Sequence, residues 1–450
     1  MESTLKKELI LIEPTVSNYA IRLLMLSVLK RNIPVSLFTI SALTPPGYKI
    51  RIFANKLLWP KKDFTRGALV GISCITSNAP QAYKLAARYR EAGAYVVMGG
   101  PHVSALPEEA LQYCNSVVIG EAESVWGQVI RDFESKSLQK IYRGQPLEDF
   151  FSPVYDYFKN LDPRVLMMTG IQIVRGCKYH CDFCVCPSNF VRYVKVEQVT
   201  EIIKTVKESF GNKSITMHFP SDNIFSDPQY AKEFFKALIL LKIKWVSQSS
   251  IDIAFDEEAL SLAKQSGCKY LFIGFETIYP EKLQKTSVGN IHSTADYVKA
   301  IKKIKSYKIG VVGAFIIGFD YYSHLDYLRL LFFLISTFVR SRFFWISVTI
   351  LTPFPGTQLF ERLKREGRIS TYDWGKYDLL FHAVFRPKNM SPFSLALWFV
   401  LIRIIAVFCS TLGIAVFLIF NFPHLFRYFC IHILPYLYYI YMNISINQAR

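Results

Sequence analysis

The chain has 450 residues, of which 51% are hydrophobic, 20% charged and 15% aromatic. That length predicts two or three domains, and that composition excludes a disordered, collagen-like or heptad-dominated chain. The net charge of +18 directs attention to anionic partners: nucleic acid, a membrane surface or acidic ligands.

The opening residues, MESTLKKELILIEP, carry no apolar stretch of signal-peptide length, and nine cysteines are too sparse for a disulfide scaffold. A cytoplasmic protein with reduced thiols is expected. Apolar runs at 8–14, 35–41, 68–74, 94–100 and 116–122 read as buried strands, with helical patterns between most of them, as at 79–93. This alternation predicts a doubly wound, Rossmann-like parallel sheet over residues 1–140. Gly99, Gly100, Pro101 and Gly120 punctuate its strand ends, where open sheets of this kind bind ligands. Residues 141–165 are polar, proline-containing and aperiodic, and read as a linker.

Alternation resumes with strand-like runs at 168–174, 214–219, 244–250, 270–276, 309–318 and 343–351, separated by helical patterns such as 196–211 and 295–310. Six units over 166–360 are too many for a small doubly wound sheet and too few for a closed eight-unit barrel. They predict a partial, open (β/α)6 barrel of the TIM type. The run at 328–339 lies between two of these strands and reads as a helix covering the barrel.

Residues 361–450 form an apolar, basic extension predicted to be helical. From 379 onward it holds Arg386, Lys388, Arg403, Arg427 and Arg450 and no acid, and 404–426 carry no charged side chain. That run is a transmembrane candidate by length. Arg386, Lys388 and Arg403 precede it, and Tyr436, Tyr438, Tyr439 and Tyr441 follow it, which suits attachment to the inner face of a membrane. The alternative is a pair of core helices lying across the barrel mouth. Aromatics are not interleaved with basic clusters and no nucleic-acid module is present, so nucleic acid is not expected as a partner.

The densest chemistry lies at 176–187, GCKYHCDFCVCP. Cys177, Cys181 and Cys184 form C-x3-C-x2-C directly after a predicted strand. Three thiolates on one tight loop can hold three irons of a cubane cluster and leave the fourth iron open. A structural zinc site normally takes four tetrahedral protein ligands, and Cys186 follows Cys184 too closely to close one easily. A zinc loop or redox thiols remains the alternative; His180 reads as a loop residue. Five further positions sit at or near predicted strand ends. Asp222 lies in FPSDNIF, Glu276 in GFET, Gly313 and Gly318 in GAFIIGFD, and Pro355 in TPFPGT. Each also has a plain reading as a cap, a solvated strand end, barrel packing or a rigid turn.

With Phe183 just before the last cysteine and six strand–helix units around it, the stretch from about 165 to 360 resembles the radical SAM superfamily. The resemblance implies a [4Fe–4S] cluster on Cys177, Cys181 and Cys184, with S-adenosylmethionine on the open iron. It further implies that Phe183, Asp222, Glu276, Gly313, Gly318 and Pro355 contact that cofactor. Asp222 would stand near its methionine part and Pro355 beside its adenine. Residues 5–135 resemble the cobalamin-binding domain that precedes the barrel in one radical SAM class, on VGISCIT (70–76), GGPHVSALPEEAL (99–111) and VVIGEAE (117–123). This implies a corrinoid pocket drawn from Ser73, Thr76, Gly99, Gly100, His102, Gly120 and Glu121. The D-x-H-x-x-G motif is absent and no histidine precedes His102, so no protein histidine is expected on the lower axial position. His102 is either a neighbour of the corrinoid or a partner in strand-end hydrogen bonds, and a vestigial doubly wound domain is the alternative to cobalamin binding. The segment 381–392 resembles the one that follows the barrel in a cobalamin-type subgroup. The function implied is methylation of an unactivated carbon of a small-molecule or lipid-like substrate, with an electron donor such as a flavodoxin or ferredoxin. The alternatives are radical rearrangement, cyclisation or oxidation, or a membrane-tethered iron–sulfur protein without catalysis.

Overall fold

The computed structural model of the chain describes residues 7–16, 34–54, 65–186, 190–283, 291–341 and 345–418. The first sheet contains β1 (Lys7–Glu13), β2 (Tyr48–Ala54), β3 (Leu69–Ser73), β4 (Tyr95–Gly99), β5 (Ser116–Gly120) and β6 (Ile141–Gly144). All its pairings are parallel, in the order β2-β1-β3-β4-β5-β6. The order reverses at β1, and such a switch point places a crevice at the carboxyl ends of the strands. Leu9 to Ile12 of β1 are all buried, as expected for a parallel strand covered on both faces. The helix α2 (Ala79–Glu91) covers one face with Ala82, Tyr83, Leu85, Ala86 and Tyr89, spaced as an amphipathic stripe.

The second parallel sheet has the order β13-β12-β11-β10-β9. Its strands are β9 (Thr216–Phe219), β10 (Lys244–Ser249), β11 (Cys268–Glu276), β12 (Gly310–Ile317) and β13 (Trp345–Ile350). The largest apolar cluster fills this opened barrel and its helices, with Trp245, Phe219, Phe275 and Phe315 among its fully buried members.

Four expectations are corrected. VSLFTIS is not a strand but the helix α1 (Val35–Ala42), starting behind the extended Pro34. Periodicity cannot separate a short buried helix from a strand. Here Leu37 packs into the first domain while Phe38 packs into the barrel core, so the segment is buried on opposite sides. Second, the strand beside β1 is β2, whose residues are only partly buried and therefore lack a continuous apolar signal. Third, the linker at 141–165 contributes β6 and the helices α6 (Tyr155–Lys159) and α7 (Pro163–Thr169). Fourth, 168–174 is not a regular strand: α7 runs to Thr169, and only Val174–Arg175 (β7) pairs, antiparallel with Arg192–Tyr193 (β8). The segment still flanks β9, since the Ile171 amide donates to the His218 carbonyl at 3.1 Å. It thus takes the place of the sixth barrel strand with little ladder.

The covering helix expected at 328–339 lies within α12 (His324–Ser341). The apolar extension begins as α14 (Pro392–Leu418). This helix packs along β13, the edge strand of its sheet. It buries Leu395, Phe399, Ile402 and Ala406. Arg403, read from sequence as a membrane-flanking charge, donates from Nη1 to the Val348 carbonyl at 3.1 Å and so satisfies an edge-strand acceptor. Among the described residues no helix is long and apolar enough to cross a membrane. The tyrosines at 436–441 lie outside the described residues, as does most of the stretch that follows β1.

Candidate active site

The cluster-type loop leaves β7 through Gly176, whose φ of +94° suits glycine, and it is pinned at three points. Asp222 Oδ2 accepts from the Gly176 amide at 2.7 Å. Asp252 holds Lys178 at 2.9 Å and accepts from the Tyr179 hydroxyl. The Asp182 carbonyl accepts from the Leu359 amide at 2.9 Å, while the Asp182 carboxylate meets Arg362 at 3.3 Å. Between these anchors lie Cys177, Cys181 and Cys184; as whole residues the first two are partly exposed and the third exposed, although the Cys184 sulfur itself is turned inward and desolvated. The Cys186 amide points at Cys184 Sγ, 3.4 Å away.

Burial pushes the Cys184 thiol up, and the acidic neighbours Cys177, Asp222 and Glu276 add to the rise against that amide hydrogen bond. A site that crowds anion-forming groups in this way suits a cationic occupant, which removes the cost of each thiolate. Among the described residues no three side chains close on a single metal ion. Three thiolates on one short loop are a donor set that fits three irons of a cluster. Glu276 ends β11 with φ +63° beyond a register shift at Gly274. A left-handed non-glycine residue at a bulge is strain placed where a side chain is re-aimed.

Next to this loop opens a cleft of about 320 Å³. Its first wall is the carboxyl edge of the first sheet: Ser73, Gly99, Gly100, Gly120 and Glu121. The opposite wall comes from the barrel: Gln172, Arg175 and Asp222. Leu11, Leu37, Ile40, Val97 and Trp126 make the lining largely apolar, with no histidine among the described residues that line it. Gly100 has φ +103°, and a Cβ there would stand 2.6 Å from the Cys74 carbonyl, so the rim is thin by necessity. A largely apolar, glycine-rimmed crevice fits a flat macrocycle.

An ionic clamp crosses the cleft. Glu121 pairs with Arg175 at 3.0 Å and with Arg192, whose side chain is 1% exposed. Arg175 also reaches Glu123 at 2.7 Å and stacks over Phe150 at 4.3 Å. Burial pushes the Glu121 carboxyl up, but the hydrogen bond from Arg192 and the charges of Arg175 and Arg192 outweigh it and hold the group below the usual carboxylate range. Arg175, Arg192, Gln172 and Trp126 were not singled out from the sequence. The signal that could have marked the arginines is two charges flanking a cysteine loop inside otherwise apolar strand patterns.

The remaining expected residues divide. Phe183 meets Phe319 edge-to-face at 5.9 Å and lines a second cleft of about 380 Å³ with Cys181, Lys282, Tyr321 and Arg362. Gly318 stands at the end of β12, its amide donating to the Tyr327 hydroxyl at 3.0 Å. Gly313 is not at the rim: it lies mid-strand, in register with Ile273 and Ile346. The turn after Pro355 abuts the first domain, where a Cβ on Gly356 would meet Ala105 at 3.1 Å. Thr76 and His102 do not line the cleft. His102 is buried, with Nδ1 3.2 Å from Thr76 Oγ1 and Nε2 3.1 Å from the Tyr83 hydroxyl. Trp374, beyond the barrel, stacks edge-on against His102 and donates to Glu109 at 2.7 Å. Both imidazole nitrogens are thus engaged inside a domain contact.

Comparison with known proteins agrees with this geometry. Residues 171–334 match the radical SAM superfamily and residues 62–130 match the B12 binding domain. The bacteriochlorophyllide d C-12(1)-methyltransferase of Chlorobaculum tepidum is 30% identical over 337 residues, covering 73% of this chain and 72% of that enzyme. The hopanoid C-2 methylase of Rhodopseudomonas palustris is 24% identical, covering 75% of this chain and 65% of that protein. Among solved structures, the radical S-adenosylmethionine methyltransferase TsrM from Kitasatospora setae, with cobalamin and a [4Fe–4S] cluster bound, shares the fold with a TM-score of 0.57 at 14% identity. That alignment covers 80% of this chain and 78% of TsrM. A B12-binding sheet thus stands against a barrel whose loop carries C-x3-C-x2-C, and the chain belongs to the radical SAM superfamily, among the members that bear a B12-binding domain.

Proposed function

We propose that this enzyme transfers a methyl group to an unactivated carbon of a hydrophobic small molecule. One observation carries the reading: a single cleft is walled on one side by the carboxyl edge of the B12-binding sheet. On the other it is walled by Gln172, Arg175 and Asp222, immediately beside the cysteine loop. Cys177, Cys181 and Cys184 would hold the cluster, and Ser73, Gly99, Gly100 and Gly120 would receive the corrinoid edge. Bound together, cluster, S-adenosylmethionine and cobalamin supply one-electron chemistry and a transferable methyl group.

The chain's own residues do the positioning. Asp222 fixes the start of the cysteine loop through the Gly176 amide. The strained Glu276 presents a carboxylate at the barrel rim for a hydroxyl or ammonium of the cofactor. The Glu121 clamp holds the two walls in register, so that reacting groups meet without a search. Leu11, Leu37, Ile40 and Trp126 keep water from the cleft. The relatives named as a bacteriochlorophyllide d methyltransferase and a hopanoid methylase support a polycyclic or lipid-like substrate here. A small flavodoxin- or ferredoxin-type protein would deliver the electrons.

The test is anaerobic reconstitution with iron, sulfide, a corrinoid, S-adenosylmethionine and a low-potential reductant, followed by mass spectrometry of extracted apolar metabolites. Deuterium from methyl-labelled S-adenosylmethionine is expected in a carbon-bound methyl group of one product. Cleavage of S-adenosylmethionine with no labelled methyl product from any apolar extract would overturn methyl transfer.

A further inference from the structure

We propose that the outward faces of α12 and α14 form a docking surface for an anionic phospholipid bilayer, bound peripherally and not spanned. The two helices pack against each other, joined where Trp398 donates to His324 Nδ1 at 2.8 Å and stacks near Tyr327. Each buries one stripe. Leu330, Leu331 and Leu334 face the barrel core from α12, and Leu395, Phe399 and Ile402 do so from α14. Each also exposes a second apolar stripe at helical spacing: Leu328, Phe332 and Ile335 on α12, and Phe393, Leu397 and Leu401 on α14. Phe332 and Phe393 are 77% and 78% exposed. Single exposed apolar residues need no explanation, whereas stripes on two adjoining helices mark an interaction surface.

The observations favour lipid over protein as the occupant. The stripes are exposed on the outer sides of a helix pair. Arg329 on α12 is half exposed and paired with Asp326 at 2.9 Å. No acidic residue follows Asp378 anywhere in the chain, while Arg386, Lys388, Arg403, Arg427 and Arg450 do. An apolar helix face followed by a chain end that carries basic residues and no acid has the composition that lies in an anionic membrane interface. Beyond Leu418 the chain continues for 32 residues rich in tyrosine and phenylalanine, a composition enriched at membrane–water boundaries. The proposal goes beyond the methyl-transfer reading and does not depend on it.

Vesicle flotation of the full chain, kept anaerobic, is the test. The protein is expected to float with phosphatidylglycerol-containing vesicles and much less with pure phosphatidylcholine vesicles. The double variant Phe332→Glu/Phe393→Glu, altered only at exposed positions, should lose at least tenfold in vesicle affinity while its reduced form still cleaves S-adenosylmethionine. A chain ending at Leu418 should retain binding that the same double change removes. The proposal is overturned if the full chain does not float, or if the double variant floats undiminished. It is equally overturned if gel filtration gives a dimer for the native chain and a monomer for the variant without vesicle binding, which would assign the face to a second copy. Loss of methyl transfer with intact flotation would count against the proposed function alone.

Discussion

Replacing Arg192 with leucine tests the ionic clamp directly. The Arg192 guanidinium is nearly inaccessible, and it donates to both oxygens of Glu121 and to the Leu147 carbonyl at 2.9 Å. It also packs against the rings of Phe150 and Phe190. Leucine fills part of the space but leaves the Leu147 carbonyl without this donor and Glu121 with one arginine instead of two. Removing one member of a buried pair costs about 3–5 kcal/mol. Arg175 still neutralises Glu121, so the lower end, about 3 kcal/mol, is expected. A loss of that size raises a local opening constant about a hundredfold. Hydrogen exchange is the suitable assay, because a chain with two cores need not unfold in one step. Amides at 117–123 and 192–194 should exchange about a hundredfold faster in Arg192→Leu, with those of β10 and β11 unchanged. The effect has a defined pH sign. A carboxyl whose folded value is lowered contributes stability that is full above its unfolded value and is lost as pH falls through the folded one. The difference between the two proteins should therefore be full at neutral pH and shrink in acid. Exchange that is unchanged at neutral pH, or a difference that grows on acidification, would refute the reasoning.

Alanine at Cys177, Cys181 or Cys184 should each abolish cluster iron after anaerobic reconstitution, measured by iron content and electron paramagnetic resonance, whereas Cys186→Ala should keep it. Gly100→Ala forces a Cβ within 2.6 Å of the Cys74 carbonyl at φ +103°, and should cost about 1–3 kcal/mol together with corrinoid uptake, followed by visible absorbance. Burial raises the Glu13 carboxyl to about 7; stability is therefore lost as pH climbs from the ordinary carboxylate range through 7, and Glu13→Gln should stabilise the chain at pH 8 but not at pH 4, read from urea midpoints. His102→Ala should loosen the contact with Trp374, seen as faster proteolysis between 366 and 380, while the spectrum of bound cob(II)alamin stays free of protein nitrogen coupling.

What the sequence made legible follows from the range of the forces involved. The cysteine loop needs its three ligands within one turn of chain, so spacing alone exposes it. Buried parallel strands such as β1 and β4 declare themselves through unbroken apolar runs. The half-buried β2, with Tyr48, Lys49 and Arg51 in its ladder, has no such run and stays hidden. VSLFTIS has the run but is a helix, because its two sides face two different cores and no polar face marks the period. His102 was placed near the right strand end, yet its partners Thr76, Tyr83 and Trp374 come from three distant stretches. Nothing local distinguishes a histidine that bridges domains from one that faces a corrinoid.

The same reasoning explains where the site's precision resides. The cleft is made by two domains. Three contacts far apart in sequence set the distance between its walls: Glu121 with Arg175 and Arg192, Glu109 with Trp374, and Gly356 against Ala105. Two of these rest on charge or a charge-assisted hydrogen bond, whose angular demands are strict where apolar packing would tolerate sliding. Arg175 stands next to Gly176, whose amide is held by Asp222. A shift of the first domain is therefore transmitted to the start of the cysteine loop through two consecutive residues. The residues that would bind the cofactors can be changed by loop variation alone. Those that align the two walls cannot, because each is shared by both domains.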